Sequence, residues 1–129
     1  MIQLPYSILQ TEAEHGLLLR ARQAGKGVIA RETLANGLLT GRYDQASTFT
    51  AGDFRQTLPG YIWTTIGEVQ DTFDPYRRAG ESWVDFALRY VLDRPEISCA
   101  IVGARTPEQI QGIVKAGTIV SSPAGSEIR

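Results

Sequence analysis

The chain has 129 residues, 43% hydrophobic and 21% charged, with 13 basic against 14 acidic side chains and a formal net charge of -1. That length fits one domain over 1–129 and excludes a complete eightfold barrel of roughly 250 residues. The hydrophobic share argues against general disorder, the balanced charge leaves no basic excess for nucleic acid, no apolar run reaches the ~18 residues of a membrane span, and no secretory signal opens the chain, so a soluble, cytoplasmic domain with neither nucleic-acid nor membrane partner is expected.

Ile2 to Leu9 mixes β-branched and aromatic residues and predicts a strand. Thr11 and Glu14 have the spacing of a capping box, and Leu17, Leu18, Ala21 and Ala24 form a helical apolar stripe that Gly25 ends. Val28-Ile29-Ala30 is a short, wholly apolar run of the kind buried on both faces of a parallel sheet. After the Gly- and Leu-rich stretch Leu34 to Gly41, residues 43–60 read as a long polar loop.

Ile62, Ile66, Val69 and Phe73 predict a helix, interrupted by Pro75 or Gly80. Trp83, Phe86, Ala87, Tyr90 and Val91 predict a second one, closed by Pro95. Cys99 to Val102 is a third apolar strand. Thr106-Pro107-Glu108-Gln109 then starts a helix, with Ile110, Ile113 and Val114 as its core face. Residues 118–129 read as a loose tail. The sum is three strands, each followed by helical material.

Two segments carry candidate chemistry. In Ile101 to Pro107 a strand ends in Gly103, one Arg stands in the loop, and a helix starts at once, so a guanidinium and unpaired N–H groups converge as they would on an anion. The bland alternative is a strand-to-helix turn with a solvated Arg105. Arg31 to Gly41 also follows a strand, where parallel α/β folds bind ligands, although an ordinary hydrophobic loop has the same spacing. No nucleophilic or metal constellation stands out. His15 reads as a solvated or capping side chain, Glu12 and Glu14 as first-turn charges, and the pairs Asp71/Asp74 and Asp85/Asp93 lack a supporting base. Trp83 reads as core, while Tyr61 and Trp63 are candidates to cover a site. The single Cys99 excludes an internal disulfide and a cysteine-based zinc site.

Three segments in register resemble the C-terminal part of the aldo-keto reductase family. Gln3-Leu4-Pro5-Tyr6-Ser7 is similar to its sixth barrel strand, Val28 to Arg31 with Leu34 to Tyr43 to its seventh strand and cofactor loop, and Ile101 to Gln109 to its eighth strand and phosphate-binding helix start. The resemblance implies an α/β fold: a partial (β/α)8 TIM barrel of about three β/α units that binds NADP(H). Gln3 would hold the nicotinamide carboxamide and Arg31 would stand where a nicotinamide-stacking residue is common. Leu34, Ala35, Gly37 and Leu38 would line the pyrophosphate. Gly103, Ala104, Arg105 and Thr106 would surround the 2′-phosphate and adenosine, with Gln109 beside them.

The family's catalytic Asp-Tyr-Lys-His set lies on its first four strands and has no matching positions here, and none of Tyr6, Tyr43, Tyr61, Tyr76 or Tyr90 fills the role. Gly112 and Ile113 stand where the family has the Glu-Asn pair that binds adenine, and Thr33 where it commonly has Pro. Three strands cannot close a barrel, and their bare edges invite pairing. The expectation is therefore an NADP(H)-binding half of an oxidoreductase, inactive alone, that self-associates or joins a missing N-terminal half. The alternative is a non-catalytic oligomeric half-barrel or interaction module without nucleotide binding.

Overall fold

The computed structural model describes residues 1–120. Three parallel strands, β1 (Ile2–Pro5), β2 (Val28–Arg31) and β3 (Ile97–Ala100), form one sheet in the order β1-β2-β3. The helices are α1 (Leu17–Gln23), α2 (Gly60–Phe73), α3 (Trp83–Leu92) and α4 (Pro107–Val120). None is long and apolar enough to cross a membrane.

Helices cover one sheet face. Leu4, Val28, Ala30 and Ile97 are buried there with Leu18 and Ala21 of α1 and Phe86, Ala87, Tyr90 and Val91 of α3. The i, i+3, i+4 spacing of that last group is why α3 forms where its apolar stripe predicts. Ser82 starts α3 with a complete capping box: the Asp85 N–H donates to Ser82 Oγ at 3.1 Å, and the Ser82 N–H donates back to Asp85 Oδ2 at 3.4 Å.

Beneath α3, Arg89 donates through Nε to Glu81 Oε1 at 2.7 Å and through Nη2 to Glu81 Oε2 at 2.8 Å, while Nη2 also reaches the Tyr76 carbonyl at 3.0 Å. The Arg89 and Glu81 side chains are only 3% and 8% exposed. Burial pushes the Glu81 carboxyl up, but hydrogen bonds from Arg89 and the Arg78 backbone outweigh it and hold the group below its ordinary range. Burial, its largest influence, raises the neighbouring Asp93.

Several expected boundaries move, each for a visible reason. β1 ends at Pro5, and Ser7 and Gln10 exchange backbone hydrogen bonds in a tight turn instead of extending the strand. Thr11 makes no side-chain cap. The chain runs through a 3-10 turn, Glu12–His15, to Gly16 at φ +123°, so α1 begins only at Leu17. Glu14 is not a cap partner but an acceptor for Tyr6 (2.5 Å), Tyr90 (3.3 Å) and Arg94 (2.5 Å), pinning this turn to α3. Of the first apolar stripe Leu18 and Ala21 are buried, whereas Leu17 and Ala24 are exposed.

β3 runs from Ile97 to Ala100 rather than from Cys99 to Val102. Its register shifts between Val28 and Ile29, where Ser98 Oγ accepts from the Val28 N–H at 3.1 Å and mends the ladder. In α4, Ala116 is the buried residue, while Ile110 and Val114 of the expected core face are 54% and 60% exposed. That helix continues to Val120, into the segment read as a loose tail, 118–129; residues 121–129 lie outside the described part.

Candidate functional site

Because the strands are parallel, the segments leaving β2 and β3 emerge side by side at one end of the sheet. Arg31 is the last residue of β2, in register with Pro5, and its guanidinium pairs with the next residue, Glu32. The backbone then takes the left-handed conformation at Glu32 (φ 58°), Ala35 (φ 46°), Asn36 (φ 55°) and Gly37 (φ 91°). For Glu32 and Ala35 such a conformation costs on the order of 1 kcal/mol each, and clustered strain of this kind is a feature of ligand-binding loops.

Hydrogen bonds hold the loop in shape. The Ala35 N–H donates to the Glu32 carbonyl at 2.7 Å, Gly37 N–H to the Leu34 carbonyl at 2.9 Å, and Thr40 Oγ1 to the Gly37 carbonyl at 2.7 Å. Leu38 and Leu39 are buried anchors, so Leu38 has only backbone to offer a ligand, while Leu34 and Ala35 pack on the core edge. Thr33 is buried too, and its hydroxyl has no partner among the described residues. At the far end Gly41 (φ 70°) lies against Trp83, where an added Cβ would stand 2.6 Å from Cδ1. This contact ties the loop to the start of α3.

Beyond β3, Gly103, Ala104, Arg105 and Thr106 are all exposed, with open space beside Gly103 for close approach of a ligand. Thr106 Oγ1 accepts from the Gln109 N–H at 3.3 Å, and Gln109 Oε1 accepts from the Arg105 N–H at 2.7 Å. Thr106 thus caps the helix start as its sequence predicts, while the Gln109 side chain reaches past it to the preceding residue, and these bonds occupy the Gln109 amide oxygen and the Arg105 N–H. Own-backbone and Thr106 hydrogen bonds lower the Glu108 carboxyl below its ordinary range. Gln3, in mid-β1, is exposed and in register with Ile29, on the sheet face that the helices leave open.

Asp53 and Arg55, within the long loop, were not among the sequence candidates. Arg55 Nε and Nη2 donate to Asp53 Oδ1 and Oδ2 at 2.9 and 2.5 Å, and the Arg55 N–H adds a third bond at 3.0 Å. Those bonds, helped by the charge of Arg105, pull the Asp53 carboxyl down to about 2. The guanidinium lies 4.3 Å from the Tyr43 ring and 4.9 Å from Phe49, and Phe49 in turn stacks on Trp63 at 5.7 Å. Arg55 Nη1 sits 3.6 Å from the point where Gly37 would carry a Cβ. One clasp thus touches the loop after β2 and lies in the field of Arg105 after β3. An Arg among aromatic residues at 43, 49 and 63 was the only hint in the sequence. Trp63 is held in this stack, while Tyr61 is exposed.

Arg31 and Arg55 are each held by a carboxylate, Glu32 and Asp53, so at this end of the sheet the groups turned outward for an anion are Arg105 and the exposed backbone around Gly103. No group of three or more metal-ligating side chains occurs among the described residues.

The family model for the aldo/keto reductase family matches residues 1–124. An uncharacterized oxidoreductase of Bacillus subtilis, YrpG, is 34% identical over 114 residues, covering 88% of this chain and 34% of that protein. The aldo-keto reductase YhdN of the same organism is 29% identical over 117 residues, covering 87% of this chain and 35% of its own length. Among solved structures, aldo-keto reductase AKR11C1 from Bacillus halodurans superimposes with a TM-score of 0.69 in both its apo and holo forms, at 22% and 21% identity. The match covers 98% of this chain and 39% of the apo chain. The chain thus spans about a third of the length of these curated relatives.

Proposed function

This chain belongs to the aldo/keto reductase family, and from that premise we propose that it forms the cofactor-holding part, about three β/α units of a (β/α)8 barrel, of an NADP(H)-dependent carbonyl oxidoreductase. The observation that supports the reading is that the glycine-bearing loops after β2 and β3 leave the same end of the sheet, with Gly103 to Thr106 exposed and the Asp53–Arg55 pair set beside Gly37. Phosphate sites of such barrels are frequently built by the loops following the last two strands.

The residues fit the dinucleotide in kind. The loop from Leu34 to Leu38 would pass along a pyrophosphate, with the Ala35 and Gly37 N–H groups spent on the Glu32 and Leu34 carbonyls and Arg55 on Asp53. Arg105 would suit a 2′-phosphate, and Arg31 and Gln3 would lie toward the nicotinamide. Bound there, the nicotinamide ring would supply the hydride. The residues of this chain bind and orient; the family's proton-donating set has no counterpart in it, so the chain alone is expected not to turn over a carbonyl substrate. One feature favours the non-catalytic alternative: Ile113, where adenine would need a hydrogen-bonding side chain, has none to give.

Titration with NADPH, followed by quenching of Trp63 and Trp83 fluorescence, tests the reading. A saturable decrease with blue-shifted cofactor emission is expected, and a flat titration would remove cofactor binding from the proposal.

A further inference from the structure

The pairing of β1 with β2 stops abruptly. On this side of β2 the Ile2 N–H donates to the Gly27 carbonyl at 2.9 Å, and, past the end of β1, the Tyr6 N–H donates to the Arg31 carbonyl at 3.1 Å. In a regular parallel ladder the next bond would run from the Thr33 N–H back to the Tyr6 carbonyl. It is not made. Glu32 takes φ of 58° and turns the chain off the strand direction. Among the described residues the Thr33 N–H is left without an acceptor and the Tyr6 carbonyl without a donor.

The Thr33 hydroxyl, on the same residue, is buried with no partner either. So is the Gln10 amide oxygen, in the turn by which the chain leaves β1. Solvent does not make up the shortfall, because Tyr6 is 0% and Thr33 1% exposed. Buried backbone and hydroxyl groups are almost always paired, and where the protein offers no partner an ordered water does. A buried water takes two to four hydrogen bonds, accepting from donors and donating to acceptors. Two donors on Thr33 and acceptors on Tyr6 and Gln10 match that demand.

We propose that the fork between β1 and β2 is a binding site for one buried water molecule. The water accepts from the Thr33 N–H and hydroxyl and donates to the Tyr6 carbonyl, with the Gln10 amide oxygen open to its second proton. It stands in for the missing rung and fixes the root of the left-handed loop, where the Ala35 N–H meets the Glu32 carbonyl at 2.7 Å. Proline, common at this position in the family, has neither N–H nor hydroxyl, so the site comes from this chain's own threonine. The proposal needs no cofactor and stands apart from the NADP(H) reading.

Two variants of the full chain separate the hydroxyl from the shape of the side chain. Thr33→Val keeps the shape and removes the hydroxyl, whereas Thr33→Ser keeps the hydroxyl and removes the methyl group. Crystal structures of the parent and both variants, with urea unfolding of each, make the test. An ordered water within about 3.2 Å of Thr33 N, Thr33 Oγ1 and the Tyr6 carbonyl oxygen is expected in the parent. It should persist in Thr33→Ser and be lost in Thr33→Val, whose urea midpoint should fall below the parent's.

A hydroxyl that simply has no partner behaves in the opposite way. An apolar group of the same shape would then relieve an unpaired donor and raise the midpoint of Thr33→Val, which overturns the proposal. An unchanged midpoint overturns it too, as does a parent structure in which Thr33 Oγ1 donates to a protein carbonyl or the fork is dry. If Thr33→Val does not fold, the parent and Thr33→Ser structures decide: the water in both upholds the site, and its absence from either rejects it.

Discussion

The ground beneath α3 and the loops at the carboxyl end of the sheet are built on opposite plans. Beneath α3 each charge has its counter-charge: Arg89 grips buried Glu81 through two bonds, and Glu14 gathers Tyr6, Tyr90 and Arg94. In the loops, backbone is held in costly conformations at Glu32 and Ala35, and Gly103 to Thr106 lie in the open. The charge pair there, Asp53–Arg55, is shielded by aromatic faces of the long loop itself rather than by the helices and sheet of the core. The first region holds the fold, and the second is the one the proposed function assigns to a ligand. Substitutions should therefore separate stability from ligand affinity according to where they fall.

The largest stability loss is expected from Arg89→Met. It strands a buried carboxylate, and breaking such a pair from one side costs about 3–5 kcal/mol. Urea unfolding at neutral pH measures the loss, and its pH dependence identifies the cause. In the parent protein Glu81 titrates below its ordinary range, so its contribution is present above the unfolded carboxylate value and is lost as pH falls through the lower, folded one. Without Arg89 the upward push of burial prevails on Glu81. The stability gap between variant and parent should then narrow on acidification. A gap that stays constant from about pH 7 to about pH 4 would show that Arg89 acts by packing alone.

Next in size is Gly41→Ala, at the joint between the two regions. The new Cβ would meet Trp83 Cδ1 at 2.6 Å, and φ of 70° adds the strain of a left-handed alanine. Together these should cost roughly 2–4 kcal/mol in thermal or urea unfolding. Gly52→Ala is the control, since Gly52 has φ of 87° but nothing within 4 Å, and only the strain of about 1 kcal/mol should appear. Equal losses at the two positions would mean that the loop is not fastened to α3 through Trp83.

The division also explains what was readable in the amino-acid order. α3 was legible because a one-sided apolar stripe and the closing Pro95 mark the same helix, although its Ser82–Asp85 cap was not read from the sequence. The helix start at Thr106 was legible because its cap is local in the chain. The limits of β3 were not, because an apolar run such as Cys99 to Val102 records hydrophobicity, whereas strand pairing here depends on Ser98 repairing a register shift. Ile110 and Val114 read as core because periodicity marks an apolar face without saying whether a neighbour covers it. Within the candidate site the glycines and Arg105 could be picked out by residue type. The left-handed backbone at Glu32 and Ala35 could not, since neither residue favours it, and the Asp53–Arg55 clasp draws on aromatic residues scattered through a loop that has no period.

The smallest stability effect, and the sharpest test of the contrast, is expected from Arg105→Ala. The side chain is exposed, and the cap at this helix start uses the residue's backbone N–H, which alanine keeps. Unfolding free energy should therefore change by no more than about 0.5 kcal/mol. Affinity should respond quite differently. If Arg105 grips a 2′-phosphate, losing a charge-assisted contact worth about 1.5–3 kcal/mol weakens NADPH binding roughly ten- to a hundredfold. NADH has no such phosphate and should bind variant and parent alike, so paired titrations with the two cofactors carry the result. An equal loss for both would place Arg105 at the pyrophosphate or in the shape of the loop. A fall in stability above about 1 kcal/mol would instead make its charge, acting on Asp53, part of what holds the two loops together, and the contrast between the regions would then fail at the residue where it was expected to be clearest.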